Sequence, residues 1–563
     1  MLPAAVVQTP EVDVPLGAGP APDCTARYDD GVRAGGLRTR VDATVAAVVG
    51  ITALGFVFRV VVLVRPIGVV DKLFISDDAY YTLTIARSIA NGHGPTVDGH
   101  TLTSGFQALL GFLMVPVFWV TDSPDTALRL DLAFLVVVDT ATIVLLAWVA
   151  HRFAGRVAAV AAVALWAISP VAVSTALGGL ETSLAILCAI ALVALWMWTN
   201  DRPSTRRAVV VGVVAGLTVL ARVDLVLLVA LLVALQLWRG PRRLVVPGVV
   251  AGALVLAPWW LWCTLQFGTP VPTSGRAAHD LAPVRPFARE GMAHVAGAVA
   301  GGPFDVWPSL REWLSDHPVT GMVVFWLFVA VLVAIGVWWA RQRTMPQLAV
   351  AALPAFAAGL LLFYAWFGVV WHFSRYLAPV ACVVALVLAV GIARVWRTRG
   401  VWRIPAVTAT AVVLLVGTVA AVHADSHNLT AATRSDLDHA TGYRDAALTV
   451  VRRPATGQKL GAWQSGAFGY YANDRITVVN LDGVVNPDAA DASRHDRLPE
   501  YIRRQHIDWV ADFSLYVVGF GLRYAKQLHP PPTVEPVLDL PQFPPFPNYG
   551  MVHVIWPPRP LSR

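Results

Sequence analysis

Charge is what this chain has least of. Only 14% of its 563 residues are Asp, Glu, Lys or Arg, where a soluble domain carries about a quarter. With 56% apolar residues and a mean hydropathy of +0.60, a soluble globular domain is excluded. Cysteine is also scarce. Of the four, Cys188, Cys263 and Cys382 lie in or beside apolar runs and Cys24 lies near the N-terminus, so neither a disulfide framework nor a cysteine zinc site is expected. No apolar core follows Met1, so a cleaved signal peptide is not expected either. The net charge of +7 does not point to nucleic acid, because the arginines cluster in short loops between apolar runs, where they act as topology signals.

What the chain does have is long apolar runs. The first, Val45–Val64, is nearly long enough to cross a hydrocarbon core of ~30 Å. Candidate spans fall at 42–64, 129–150, 157–174, 182–199, 208–222, 224–238, 244–262, 319–340, 346–367, 376–393 and 405–422. Phe106–Val120 is short and contains Pro116, so it is expected as an interfacial or re-entrant helix. The stretch Ala208–Trp238 is split at Arg222-Val223-Asp224. With residues 1–41 taken as a disordered cytoplasmic tail, the loops His151–Arg156, Asp201–Arg207, Arg239–Arg243, Arg341–Arg343 and Arg394–Arg403 all fall inside, as the positive-inside rule requires.

The expected architecture is therefore an α-helical polytopic membrane protein with about eleven transmembrane helices in 42–422. It has outer loops at 65–128 and 263–318 and an extracytoplasmic, mixed α/β C-terminal domain at 423–563. In that last part, helical patterning at Leu437–Val451 gives way to β-like runs at Gly461–Tyr471, Ile476–Asn480, Ile507–Phe513 and Met551–Trp556. A multi-pass protein of the plasma membrane with a cytoplasmic N-terminus is expected.

The polar residues that stand out are expected on the outer face, opposite the arginine loops. Asp77 and Asp78 follow the first span. Glu181 opens another, Arg222 and Asp224 sit at a span junction, Arg276 and His279 lie in the loop 263–318, and His372 and Arg375 precede the span at 376. Ionisable groups at a membrane face are costly and usually mark a site.

Ser76-Asp77-Asp78-Ala79-Tyr80-Tyr81-Thr82-Leu83-Thr84-Ile85-Ala86-Arg87, then Asn91-Gly92-His93-Gly94-Pro95-Thr96-Val97-Asp98-Gly99 and Thr103-Ser104-Gly105-Phe106-Gln107, resembles the first outer loop of GT-C fold glycosyltransferases. Protein O-mannosyltransferases, aminoarabinose transferases of lipid A and actinobacterial arabinofuranosyltransferases belong to this group. Gly179-Leu180-Glu181-Thr182, Ala221-Arg222-Val223-Asp224 and Ser374-Arg375-Tyr376-Leu377-Ala378-Pro379 also look similar. Gly466-Ala467-Phe468-Gly469-Tyr470-Tyr471 and Asn480-Leu481-Asp482-Gly483-Val484-Val485-Asn486 resemble the outer C-terminal lobes of such enzymes. The resemblance implies a polyprenyl-phosphate sugar donor and a glycan, lipid or protein acceptor. It also implies an inverting reaction with Asp77 or Asp78 as base; alignment on the tyrosines selects Asp77, and alignment on Ala86-Arg87 selects Asp78.

Such chemistry needs a carboxylate base for the acceptor hydroxyl and a cation for the departing phosphate. For each residue a plainer role stands beside the functional one. Asp77 or Asp78 is base or helix cap. Arg375, with His372 beside it, is phosphate ligand or interfacial anchor, and Arg276 and His279 are a second phosphate site or a solvated loop. Arg222 and Asp224 bind substrate or neutralise one another. Glu181 binds acceptor or caps a helix, and Tyr80 and Tyr81 are candidate substrate contacts. His93 and His100 have poor metal-ligand spacing and are expected as loop residues, while a divalent cation at Asp77 and Asp78 stays open.

Two other classes compete with a transferase. A transporter or flippase of lipid-linked sugars should show polar groups near the midplane and internal repeats, and here Val, Ala and Leu dominate the midplanes. A non-catalytic envelope assembly protein has no need of a carboxylate pair in its first loop.

Overall fold

The computed structural model describes residues 30–275, 277, 285–300, 308–341, 344–368, 374–397, 408, 419, 442–524, 527, 534–538 and 549–554. The chain divides into two units, Met1–Ala46 and Ala47–Arg563. Helix α1 spans Asp30–Leu63, so the later part of the segment expected as tail is helical.

The other elements used below are α2 Asp77–Ala90, α3 Pro124–Ala154, α4 Arg156–Ala167, α5 Pro170–Leu177 and α6 Thr182–Asp201. They continue with α7 Thr205–Ala221, α8 Val226–Arg239, α9 Val245–Phe267, α10 Pro318–Arg341, α11 Leu348–Phe367, α12 Ser374–Arg397 and α13 Gly466–Tyr471. Among the described residues seven helices are long and apolar enough to cross a membrane. The expected span 157–174 is instead a pair, α4 and α5, bent by 57°. The bend has a local cause. Pro170 has no N–H to continue α4, and the Ser169 hydroxyl accepts from Ala172 N at 3.2 Å to cap α5. The chain does break at Arg222-Val223-Asp224, between α7 and α8, and Ala108–Trp119 is a short apolar helix that tightens into a 3₁₀ turn at Pro116. The expected span 405–422 lies outside the described residues except for positions 408 and 419.

The membrane helices hold together in two ways. In α1, Arg59 is fully buried and pairs with Asp139 of α3 at 2.8 Å; Trp166 of α4 donates to the same carboxylate at 3.0 Å. A lone charge there would cost several kcal/mol, so the pair fixes three helices by mutual need. In contrast, α7 and α9 meet through Gly212, Gly216, Gly248 and Gly252, two small-xxx-small stripes that bring the backbones together. A methyl group on Gly216 would stand 2.8 Å from the carbonyl oxygen of Gly252.

The C-terminal lobe has a five-stranded sheet among the described residues. Strands β1 Lys459–Ala462, β2 Thr477–Asn480, β3 Trp509–Phe513, β4 Glu535–Leu538 and β5 Tyr549–His553 lie in the order β2-β1-β3-β5-β4. β1 is parallel to β2 and β3, with Leu460 opposite Val478 and Trp509; the β3–β5 and β5–β4 pairs are antiparallel. Parallel β1 and β2 need a crossover, and α13 supplies it. The expected β-run Gly461–Tyr471 is therefore strand only at its start. Gly466–Tyr471 turns helical and buries Ala467, Phe468, Tyr470 and Tyr471. A shared apolar core joins this lobe to the first loop, with Tyr80, Leu83 and Ala86 packed among Phe468, Tyr470 and Val478.

Candidate active site

The site begins at α2. Ser76 at its N-cap position is extended, Asp77 and Asp78 fill the first turn, and Arg87 sits in the last. This charge order suits the helix dipole. It also suits α13, which lies alongside. Asp77 accepts from Gly466 N and Ala467 N, both at 2.8 Å, at the start of α13. Arg87 donates to the carbonyls of Gly469 and Tyr470 at its end. Gly466 is needed for this approach, because a Cβ there would stand 2.9 Å from Asp77 Oδ2.

Asp77 is thus 2% exposed, with both carboxylate oxygens occupied by the lobe. Burial pushes its pKa up to about 7, against the pull of the two N–H bonds. It lies where a parallel sheet ordinarily binds ligands, at the carboxyl ends of the strands. Tyr81 fills the same place. Its hydroxyl bonds to Trp463 O at 3.1 Å and accepts from Ser465 N and Asn480 Nδ2, both at 3.0 Å. Tyr80 points elsewhere, donating to Asp71 at 2.5 Å, and Asp71 in turn accepts from Arg444 N at 2.9 Å. Tyr80 and Tyr81 are therefore both engaged with protein groups. Asp512, at the end of β3, accepts from Trp463 N and Gln464 N at 2.7 Å, and burial raises its pKa to about 7.

Asp78 has a different setting. Its side chain is 42% exposed and is ion-paired with Arg375, which also donates to Ser76 Oγ at 3.0 Å and lies 5.2 Å from the Tyr376 ring centroid. Arg375 is held by its backbone. Pro379, one turn along α12, has no N–H for the carbonyl of Arg375. Arg222 donates to that carbonyl and to the carbonyl of Tyr376, both at 3.0 Å. Asp224 grips Arg222 with both oxygens, at 3.1 and 2.5 Å, and Tyr364 bridges the two. Arg222 and Asp224 thus orient each other and the start of α12. Buried Glu181 carries a pKa raised by burial and drawn back by the charges of Arg222 and Arg375.

The structure therefore groups Asp78, Arg375, Glu181, Arg222 and Asp224. Arg276, His279 and His372 lie outside the described residues. Sequence reasoning missed Asp482 as a site residue. It follows β2 on a tight turn that Asn480 pins to Tyr81, and it accepts from Val484 N at 2.7 Å. Burial, with repulsion from Asp78 and Asp77, pushes its pKa up to about 8. The signal was the Asp482-Gly483 turn inside the motif 480–486. Among the described residues no group of three or more His, Cys, Asp or Glu side chains is arranged to hold a metal ion, and Asp77 already gives its oxygens to N–H groups.

No family model and no curated protein matches this sequence. Solved structures do. An oligosaccharyltransferase, AglB from Archaeoglobus fulgidus, in complex with an inhibitory peptide and a dolichol-phosphate, superimposes with a TM-score of 0.52 at 14% identity, over 85% of this chain and 71% of that one. ArnT from Cupriavidus metallidurans bound to undecaprenyl phosphate gives 0.51 at 15% identity, over 90% of this chain and 98% of that one. In its apo state ArnT gives 0.52 at 14% identity, over 91% and 98%. The chain has a GT-C fold. Its helical membrane module and small sheet-bearing lobe are both part of that likeness, which spans most of the chain.

Proposed function

We propose that this protein transfers a sugar from a polyprenyl-phosphate donor to an acceptor hydroxyl at the membrane surface, with inversion and with Asp78 as base. One observation carries the choice of residue: of two adjacent carboxylates, Asp77 is consumed by the lobe while Asp78 stands half-exposed against a cation. The lipid phosphates held by AglB and ArnT support the class of donor.

In the reaction the acceptor O–H gives its proton to Asp78 and its oxygen bonds the anomeric carbon. The bond from that carbon to the phosphate oxygen breaks, and its electron pair leaves with polyprenyl phosphate. Arg375 neutralises the charge gathering on that phosphate, a type of contact worth about 10²–10³ in rate when one donor is removed. In the free enzyme Arg375 is held by Asp78; donor phosphate takes over the guanidinium and frees the carboxylate for the acceptor. Arg222 and Asp224 position α12 for this. Glu181 and Asp482 flank the site, and Asp482, protonated below about pH 8, is a hydrogen-bond donor for sugar or acceptor hydroxyls. The arginine-rich loops at the far ends of the helices favour an outward-facing site in a plasma-membrane protein with its N-terminus inside. A mannosyl or arabinofuranosyl donor, and a glycan, lipid or protein acceptor of the cell envelope, follow from the sequence resemblance.

The test is release of polyprenyl phosphate from synthetic polyprenyl-phosphate mannose and arabinofuranose by purified protein. Asp78→Asn is expected to cut turnover about 10²–10⁴-fold, the usual contribution of a general base, with its melting temperature unchanged. Wild-type turnover in that variant overturns the assignment.

A further inference from the structure

A cavity of about 410 Å³ lies among α6, α7, α8 and α9, and none of Asp78, Arg375, Glu181, Arg222 and Asp224 lines it. It follows from the helix packing. The glycine stripes bind α7 tightly to α9, while α8 is drawn toward α11 and leaves a gap along the pair. The gap runs beside α8 from Val226 to Gln236, about 15 Å of helix. Its walls are apolar, among them Val219, Val229, Val249 and Leu256.

The two ends differ. Toward the site end the lining is Leu256, Ala257 and Trp260. At the opposite end it meets Thr199, Asn200 and Gln236. Asn200 Nδ2 donates to Gln236 Oε1 at 3.1 Å, but Asn200 Oδ1 and Thr199 Oγ1 are buried with no partner among the described residues. Thr199 is only 4% exposed. Just beyond lie the exposed Arg202, Arg206, Arg239, Arg242 and Arg243.

We propose that this cavity is a binding site for an anionic glycerophospholipid of the leaflet opposite the active site. One acyl chain fills the apolar gap, the ester and glycerol oxygens meet Thr199 and Asn200, and the phosphate faces the arginine rim. Basic pockets between membrane helices on the cytoplasmic side bind anionic headgroups in this manner. The direction of polarity selects the occupant. A polyprenyl chain threaded from a phosphate at Arg375 would end its hydrocarbon on the unpartnered amide and hydroxyl, which it cannot satisfy. A lipid entering from the arginine end matches both ends. A bound chain would also brace α8, and with it the Arg222–Asp224 junction one turn away.

Native mass spectrometry of the full-length protein, delipidated and titrated with phosphatidylglycerol, phosphatidylcholine of the same chains or undecaprenyl phosphate, tests this. One phosphatidylglycerol is expected to bind at least tenfold more tightly than phosphatidylcholine. Arg239→Gln with Arg243→Gln should weaken it about twenty-five-fold, at about fivefold per arginine. Ala215→Trp, which fills the gap, should abolish it, and Thr199→Val serves if that variant fails to fold, with a several-fold loss expected. Equal binding of the two phospholipids, or no loss in the arginine variant, overturns the proposal. Displacement of phosphatidylglycerol by equimolar undecaprenyl phosphate overturns it in favour of the donor chain.

Discussion

Two interfaces of this molecule solve the same problem with opposite chemistry. Where the first loop meets the C-terminal lobe, α2 and α13 lie side by side with Asp77 on two amides at one end and Arg87 on two carbonyls at the other. Where α7 meets α9 there is almost no polar chemistry; glycines let one backbone rest on the other. At the membrane surface water competes for every surface, so burial and satisfied charge together specify a contact. In hydrocarbon, lipid is as apolar as leucine, and only close packing distinguishes a partner. The first interface should therefore respond to pH and to loss of a single oxygen, and the second only to volume.

The largest effect is expected from Gly216→Leu. The side chain meets Gly252 and Val255, and backbone cannot step aside as a side chain can. Overpacking of this kind costs about 3 kcal/mol, read as a lower melting temperature in detergent that is independent of pH. Asp77→Asn is expected to cost about 2 kcal/mol, since one of the two amides then faces an NH₂ group and loses its acceptor. Faster hydrogen exchange at residues 466–471 would report it. Unchanged exchange there would mean that Asp77 is not what holds the lobe.

Arg222→Lys keeps the charge but loses the fork that spans Asp224 and the carbonyls of Arg375 and Tyr376. A loss of about 1–2 kcal/mol is expected, with turnover falling further than stability because Arg375 moves.

The smallest effect is that of pH on Asp77. Its folded-state pKa, about 7, is raised above its ordinary value. Its protonation therefore stabilises the fold fully below that ordinary value, and this contribution is lost as pH rises through about 7. From about pH 6.5 to about pH 8 the loss is about 1 kcal/mol. Asp71, Asp482 and Asp512 are raised as well and act in the same direction. The part due to Asp77 should vanish in Asp77→Asn and persist in Gly216→Leu.

Much of this was legible in advance because hydropathy and chain breaks are local. The break at Arg222–Asp224 and the short helix ended near Pro116 are written in residues adjacent to them. The bend at Ser169-Pro170 is equally local, but the apolar run continues through it and hides it. The glycine stripes of α7 and α9 were readable too, but only as a pair. Gly466–Tyr471 looked like strand because a buried apolar hexapeptide fits either period, and its packing on α2 made it a helix.

By itself, then, the sequence determined a polytopic helical protein with its carboxylate pair in the loop after the first apolar run, since apolar length acts residue by residue. Which carboxylate the lobe claims and which pairs with Arg375 is decided by the tertiary structure. Neighbours on a helix point about 100° apart, so one faces the lobe and the other faces Arg375. The amide that claims Asp77 lies 389 positions away, and no local pattern encodes a meeting at that distance.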